Sequence, residues 1–196
     1  MSLPLRVVDG LTLGAPHRSL LMPGALVRDT YRRTRRLPRF FYVVESWEMA
    51  RQTMVTPHFA LWEFMDVDLF EPLPLRTYPR YVPCAITVLA AHLEVFRTTV
   101  AQPVKIAANG AYRSPSHAKS VLGSTHCWGT AANIFRVGDD NLDEREKIER
   151  YGALAASLLP AMRVRPYGEL PGGDDDHMHV DIGHVIVLPT DAPSEE

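Results

Sequence analysis

The stretch that most constrains the fold is residues 124–133, Ser-Thr-His-Cys-Trp-Gly-Thr-Ala-Ala-Asn. His126 stands near its start and Asn133 closes it, with Gly129, Ala131 and Ala132 between them. Small residues in that run let a turn and a buried strand pack tightly while both polar ends face one pocket. A second polar knot lies far along the chain at 174–181, Asp-Asp-Asp-His-Met-His-Val-Asp. Residues two apart on a strand share a face, so His177 and His179 are expected to point the same way. Supplied from separate strands or loops, His126, Asn133 and His179 are candidate ligands for one zinc ion (Zn2+). Two histidines and one oxygen donor leave the fourth position for water, which is the ligand count of a catalytic site.

Around these stretches the patterning is that of a mixed domain. Ile86, Leu89, Leu93, Phe96 and Val100 recur at helical spacing and predict a helix over roughly 84–99 with a core-facing stripe. His92 lies within it and reads as structural. A second helix is expected over 142–159, with Asn141 as its cap and Ile148, Tyr151, Leu154 and Leu158 as its buried stripe. Strands are expected at 40–44, from the alternation of Val104, Ile106 and Ala108, and at 131–137, 162–164 and 177–187. Ser46 is a candidate cap for a short helix over 45–54. In 58–64, Phe59, Trp62 and Phe64 are expected to face a core. Residues 1–27 mix Pro, Gly and apolar residues without a clean period, so 1–56 reads as an irregular extension. The main domain is then 57–187 and a polar tail follows at 188–196.

Charge excludes little but is unevenly placed. The net charge is −2, so no global field argues for nucleic acid. Six arginines (Arg28, Arg32, Arg33, Arg35, Arg36 and Arg39) crowd one segment. They could bind phosphate-bearing polymers or an acidic partner, or form a solvated helix face paired with acids elsewhere, and they lack the aromatic and glycine pattern of nucleic-acid motifs. Two cysteines are too few for a disulfide scaffold. No apolar run approaches the length of a membrane span. The start, Met-Ser-Leu-Pro-Leu-Arg, has no signal-peptide pattern. The chain is therefore expected to be cytoplasmic as made, reaching a cell wall by separate export or by lysis.

The chemistry of a zinc site assigns roles to the neighbours. Water on the metal becomes acidic enough to react near neutral pH, and a base must take its proton. Asp176 lies three residues before His179, within reach of the same water. Arg113 could hold a substrate carboxylate or a developing oxyanion, and His177 could add a second donor. Trp128, beside His126, either lines the pocket or belongs to the core. Cys127 is not expected to act as a thiol, because a metal better explains the histidine beside it. His117 and His184 read as surface or core residues.

Taken in order, Tyr112-Arg113-Ser114-Pro115, then Ser124, His126, Gly129 and Ala131, then Asp176-His177-Met178-His179-Val180-Asp181 resemble the zinc D-alanyl-D-alanine carboxypeptidases and related phage endolysins. These share their fold with the signalling domain of Hedgehog proteins. Residues 58–64 are similar to a further segment of that family, and the resemblance covers about 57–185. It implies an α+β fold with an antiparallel sheet and helices on one face. Zinc ligands are implied at His126, position 133 and His179, with Asp176 as general base. Arg113 and His177 take transition-state positions, and Ser124, Tyr112 and Trp128 face substrate. The implied substrate is peptidoglycan stem peptide, cut as a carboxypeptidase or an endopeptidase. One position departs from the pattern: the family's second ligand is aspartate, and Asn133 is neutral and a poorer zinc ligand. Three outcomes are open. Asn133 binds zinc weakly; Cys127, Asp174 or Asp175 substitutes for it; or the chain is a non-catalytic binding relative. A structural or assembly protein using 28–39 as an interaction arm is a further alternative.

Overall fold

The computed structural model describes residues 3–169, 175–188 and 190. Asp174 and most of the expected tail lie outside the described residues. In chain order the elements are β1 (Val7–Asp9), α1 (Ala15–Leu21), β2 (Leu26–Arg28), β3 (Thr34–Arg36) and β4 (Phe40–Val44). Then come α2 (Trp47–Gln52), β5 (Met54–Thr56), β6 (Phe59–Ala60), α3 (Leu73–Arg76) and β7 (Arg80–Pro83). The chain continues through α4 (Ile86–Val100), β8 (Val104–Ile106), β9 (Ala131–Val137), β10 (Asp140–Asn141) and α5 (Arg145–Leu158). It ends in β11 (Arg163–Val164) and β12 (Met178–Asp181). Helices and antiparallel sheets together make the fold α+β.

The N-terminal segment is more ordered than its composition suggests. All five residues of β4 are buried, and the strand lies between β1 and β7, with Tyr42 opposite both Val7 and Val82. A continuous apolar run covered on both faces makes a central strand. Leu5, Phe41 and Val44 belong to the same core cluster as Leu89 of α4 and Val180 of β12. The core therefore runs across the boundary expected near residue 56. Segment 28–39 forms the β2–β3 hairpin instead of a helix face.

The site sheet is built on β9, which pairs with β8, β10 and β12, while β12 pairs with β11. In register, Met178 faces Ile134, His179 faces Asn133 and Val180 faces Ala132. Met178, Ile134, Val180 and Ala132 are fully buried. A Cβ added at Gly152 of α5 would lie 2.9 Å from Val164 Cγ1 and 3.7 Å from Met178 Sδ, so α5 packs closely on that side. Strand alternation then puts Asn133, His179 and Asp181 on the opposite face. α4 buries Ile86, Leu89, Leu93 and Phe96 as the spacing required. α5 starts later than expected, because Asp140 and Asn141 pair back on Val137 and Arg136, and Asn141 does not cap it. Ser46 does cap α2, accepting from the Met49 N–H at 3.1 Å. Phe59 and Phe64 are buried, whereas Trp62 is 38% exposed. Among the described residues no helix is long and apolar enough to cross a membrane.

Candidate functional site

His126 is delivered by a single tight turn, Thr125–Trp128, that precedes β9. The turn ends at Gly129 with φ +67°, where a Cβ would come within 2.8 Å of Ile86 Cγ2. Only glycine meets both demands cheaply. The Thr130 N–H donates to the Thr125 carbonyl at 3.3 Å, which closes the turn onto the start of β9, while Thr130 Oγ1 donates to the Gly183 carbonyl at 2.5 Å. From there β9 carries Asn133 across from His179.

The three sequence-selected residues share one cleft of about 720 Å³. His179 Nδ1 lies 2.9 Å from Asn133 Oδ1. The His126 and His179 rings stand edge to face with centroids 5.1 Å apart. His126 Nδ1 lies 2.7 Å from the Ala111 carbonyl, which can only accept, so Nδ1 carries the hydrogen and Nε2 keeps a lone pair. On the far side of the second ring, His179 Nε2 is 3.4 Å from Asp181 Oδ2. Burial, and then the Arg113 charge, hold His126 well below the usual histidine range. Burial also lowers His179, outweighing the opposing pull of Asp181. Both rings are therefore neutral near pH 7.

Neutrality exposes a mismatch at His179. A neutral imidazole carries one proton, yet Asn133 Oδ1 and the Asp181 carboxylate are both acceptors and face its two nitrogens. A cation between Nδ1 and Oδ1 would resolve this, and so would an amide turned to donate its NH2 to Nδ1; either leaves Nε2–H facing Asp181 Oδ2. Outer partners of this kind, a carbonyl for one histidine and a carboxylate for the other, are what metal-binding imidazoles use to fix their tautomers. The donors therefore suit a zinc ion, with one charge fewer than an aspartate would supply. Among the described residues no group of three or more His, Cys, Asp or Glu side chains is arranged to hold a metal.

Of the substitutes considered for Asn133, Cys127 and Asp175 lie elsewhere, and Asp174 is outside the described residues. Cys127 is buried with Val27, Leu37 and Trp128, and burial pushes its thiol up to about 12. Asp175 is held by Arg165 Nη2 at 3.2 Å and by the Gly168 N–H at 2.7 Å. Neither lines the cleft.

Arg113, His177 and Ser124 line the cleft. Arg113 Nε donates to the Asn109 carbonyl at 2.7 Å. Asp176, expected as the base, is not in the cleft wall, and its side chain is 87% exposed. Its Oδ1 lies 2.5 Å from His177 Nδ1, behind the ring that does reach the cleft. Arg165 Nη2 approaches the other nitrogen of that ring at 3.3 Å. Tyr112 and Trp128 sit in the interior and not in the cleft wall. Trp128 Nε1 donates to the Arg36 carbonyl at 2.9 Å, tying the hairpin to the site turn.

Sequence reasoning gave Asp181 and Arg165 no role, and it offered the 28–39 arginines as a partner-binding segment or a solvated helix face without placing them at the cleft. Asp181 was within reach of the same-face rule, standing two residues after His179 on a strand. Arg165 carried no comparable signal, and only the tertiary fold brings it and the arginine cluster to the cleft. Compared with family models, with curated proteins and with solved structures, the chain matches none.

Proposed function

We propose that the chain is a zinc-dependent peptidase of the D-alanyl-D-alanine carboxypeptidase type, with the Hedgehog-like fold, acting on peptidoglycan stem peptides or cross-links. The observation that carries this is the His179 ring between two acceptors, with Asn133 Oδ1 at 2.9 Å and His126 beside it. His126, Asn133 and His179 would hold the ion. When bound, zinc supplies a Lewis acid and lowers the pKa of its water towards neutrality.

The chain's own groups supply the rest. Arg113 carries a fixed positive charge into the cleft, suited to a substrate carboxylate or a developing oxyanion. His177, backed by Asp176 and lining the cleft, orients and exchanges protons with the attacking water and leaving amine. The cleft volume fits a few residues of peptide.

A second function, peptide binding without turnover, is favoured by the identity of residue 133. An amide can turn and offer its NH2 to His179 Nδ1, closing the site without a metal, which a carboxylate cannot do. The exposed Asp176 side chain points the same way. Elemental analysis of the purified chain, with hydrolysis of a purified muropeptide followed by chromatography, separates the two. About one zinc per chain with release of a D-amino acid or an opened cross-link supports the peptidase. Muropeptide binding with neither zinc nor cleavage refutes it.

A further inference from the structure

We propose that the β2–β3 hairpin gives the cleft a second anion subsite, selecting peptides that carry an acidic side chain away from the reacting bond. That the ligand is a peptide rests on the proposed peptidase function; the anion preference rests on the cleft wall. Six cations line that wall, Arg33 and Arg35 from the hairpin with Arg113, Lys119, Arg163 and Arg165, against one acid, Asp181. Arg163 and Arg165 have carboxylate partners in Glu169 and Asp175. Among the described residues Arg113 and Lys119 have none within ion-pair distance.

The hairpin cations are positioned by a buried group. The Asp29 side chain is 1% exposed, and its Oδ2 accepts from Arg33 Nε at 3.0 Å and from Arg35 Nε at 3.1 Å. Its Oδ1 accepts from the Tyr31 and Arg33 N–H groups, both at 2.9 Å. One carboxylate thus holds two guanidinium groups by their inner nitrogens. Their terminal nitrogens make no hydrogen bond among the described residues, while both side chains line the cleft. Paired guanidinium forks of this kind favour a carboxylate or phosphate.

Size and aromatic content decide the class. About 720 Å³ accommodates a short peptide and no duplex. Single-stranded nucleic acid needs a series of open aromatic faces. Apart from histidines, the one aromatic ring in the described cleft wall is Tyr31, and the Arg33 guanidinium lies over it, 4.7 Å from its centroid.

The test uses the full chain and two labelled synthetic pentapeptides that differ only by an internal Glu or Gln, followed by fluorescence anisotropy. The Glu peptide should bind about tenfold more tightly, the scale of one charge-assisted hydrogen-bonded contact. That preference should shrink as salt rises from low to physiological strength, and should collapse in Arg33→Gln/Arg35→Gln. Because that variant leaves Asp29 without its guanidinium partners, Arg33→Lys/Arg35→Lys serves as a second, charge-keeping variant, in which part of the preference should remain. Equal binding of the two peptides, a preference that survives the double Gln variant, or a single-stranded oligonucleotide that outcompetes the Glu peptide would overturn the subsite. A Glu preference without cleavage in the presence of zinc would keep the subsite and remove the hydrolytic function. Cleavage of both peptides with equal affinity would do the reverse.

Discussion

Replacing Asn133 by Asp tests the proposed metal site at the atom on which it depends. Oδ1 of residue 133 lies 2.9 Å from His179 Nδ1, so a carboxylate there faces any ion held by that nitrogen. Loss of even an outer-shell partner typically changes metal affinity about 10- to 100-fold, and a directly bound charge is worth at least as much. That is about 1.4–2.7 kcal/mol of extra zinc binding. At a zinc concentration well above both dissociation constants, the same free energy appears as extra stabilisation of the folded chain. For a chain of this size it corresponds to a further rise in Tm of roughly 3–11 °C. Without zinc the variant loses stability, because the new carboxylate is buried beside Asp181 with one imidazole between them. The assay is differential scanning fluorimetry of both proteins with zinc and with chelator, beside a competitive zinc titration. A variant that binds zinc no better than the parent, with an unchanged zinc-dependent Tm shift, would refute a metal at this position.

Phe96→Ala should destabilise the fold by about 3–5 kcal/mol, since Phe96 is fully buried and packs edge-on against Tyr151 at 6.4 Å. Chemical denaturation reads this, and a loss below about 1 kcal/mol would contradict the core assignment. The hairpin is expected to loosen in acid. Burial alone would raise Asp29, but the Arg33 N–H and the Arg35 and Arg33 side chains outweigh it and lower its pKa to about 2 from 3.8. Its contribution is therefore complete above the ordinary value and is lost as pH falls through about 2. Hydrogen exchange at the Tyr31 and Arg33 amides should show protection lost over that window, and protection unchanged at the lower end would be inconsistent with it. Cys127, with its thiol raised to about 12, should stay unreactive to a thiol reagent at pH 8 until the chain unfolds. Rapid labelling of Cys127 in the native protein would place it on the surface.

The parts of this molecule that were legible in its sequence are those governed by local periodicity. The stripe of α4 and the span of β9 follow from spacing alone, because each buries one side against a contiguous core. The meeting of Asn133 with His179 was legible for a related reason, whereas His126 comes from the turn before β9 and not from strand alternation. Strand alternation preserves a face, and the β9–β12 register converts two separate same-face patterns into one pair of opposed side chains. The hairpin was not legible, since its fold depends on Asp29 satisfying two backbone amides and two guanidinium groups at once. An arginine run is equally compatible with a helix face until that carboxylate is counted. Asp176 was misplaced in the cleft because spacing of three along the chain says nothing about where a non-helical turn aims a side chain. The same turn brings His177 to the cleft and leaves Asp176 behind it, so in the proposed peptidase proton handling would fall to a pair in which the carboxylate orients the ring. The hairpin and the proposed metal site are joined physically as well. Trp128, two residues after His126, donates to the Arg36 carbonyl of β3. Any substitution that opens the hairpin therefore strains the turn that carries His126, and zinc affinity and anion preference should fall together in such variants. Variants that only neutralise a terminal guanidinium nitrogen, with Asp29 still satisfied, should lower the anion preference alone.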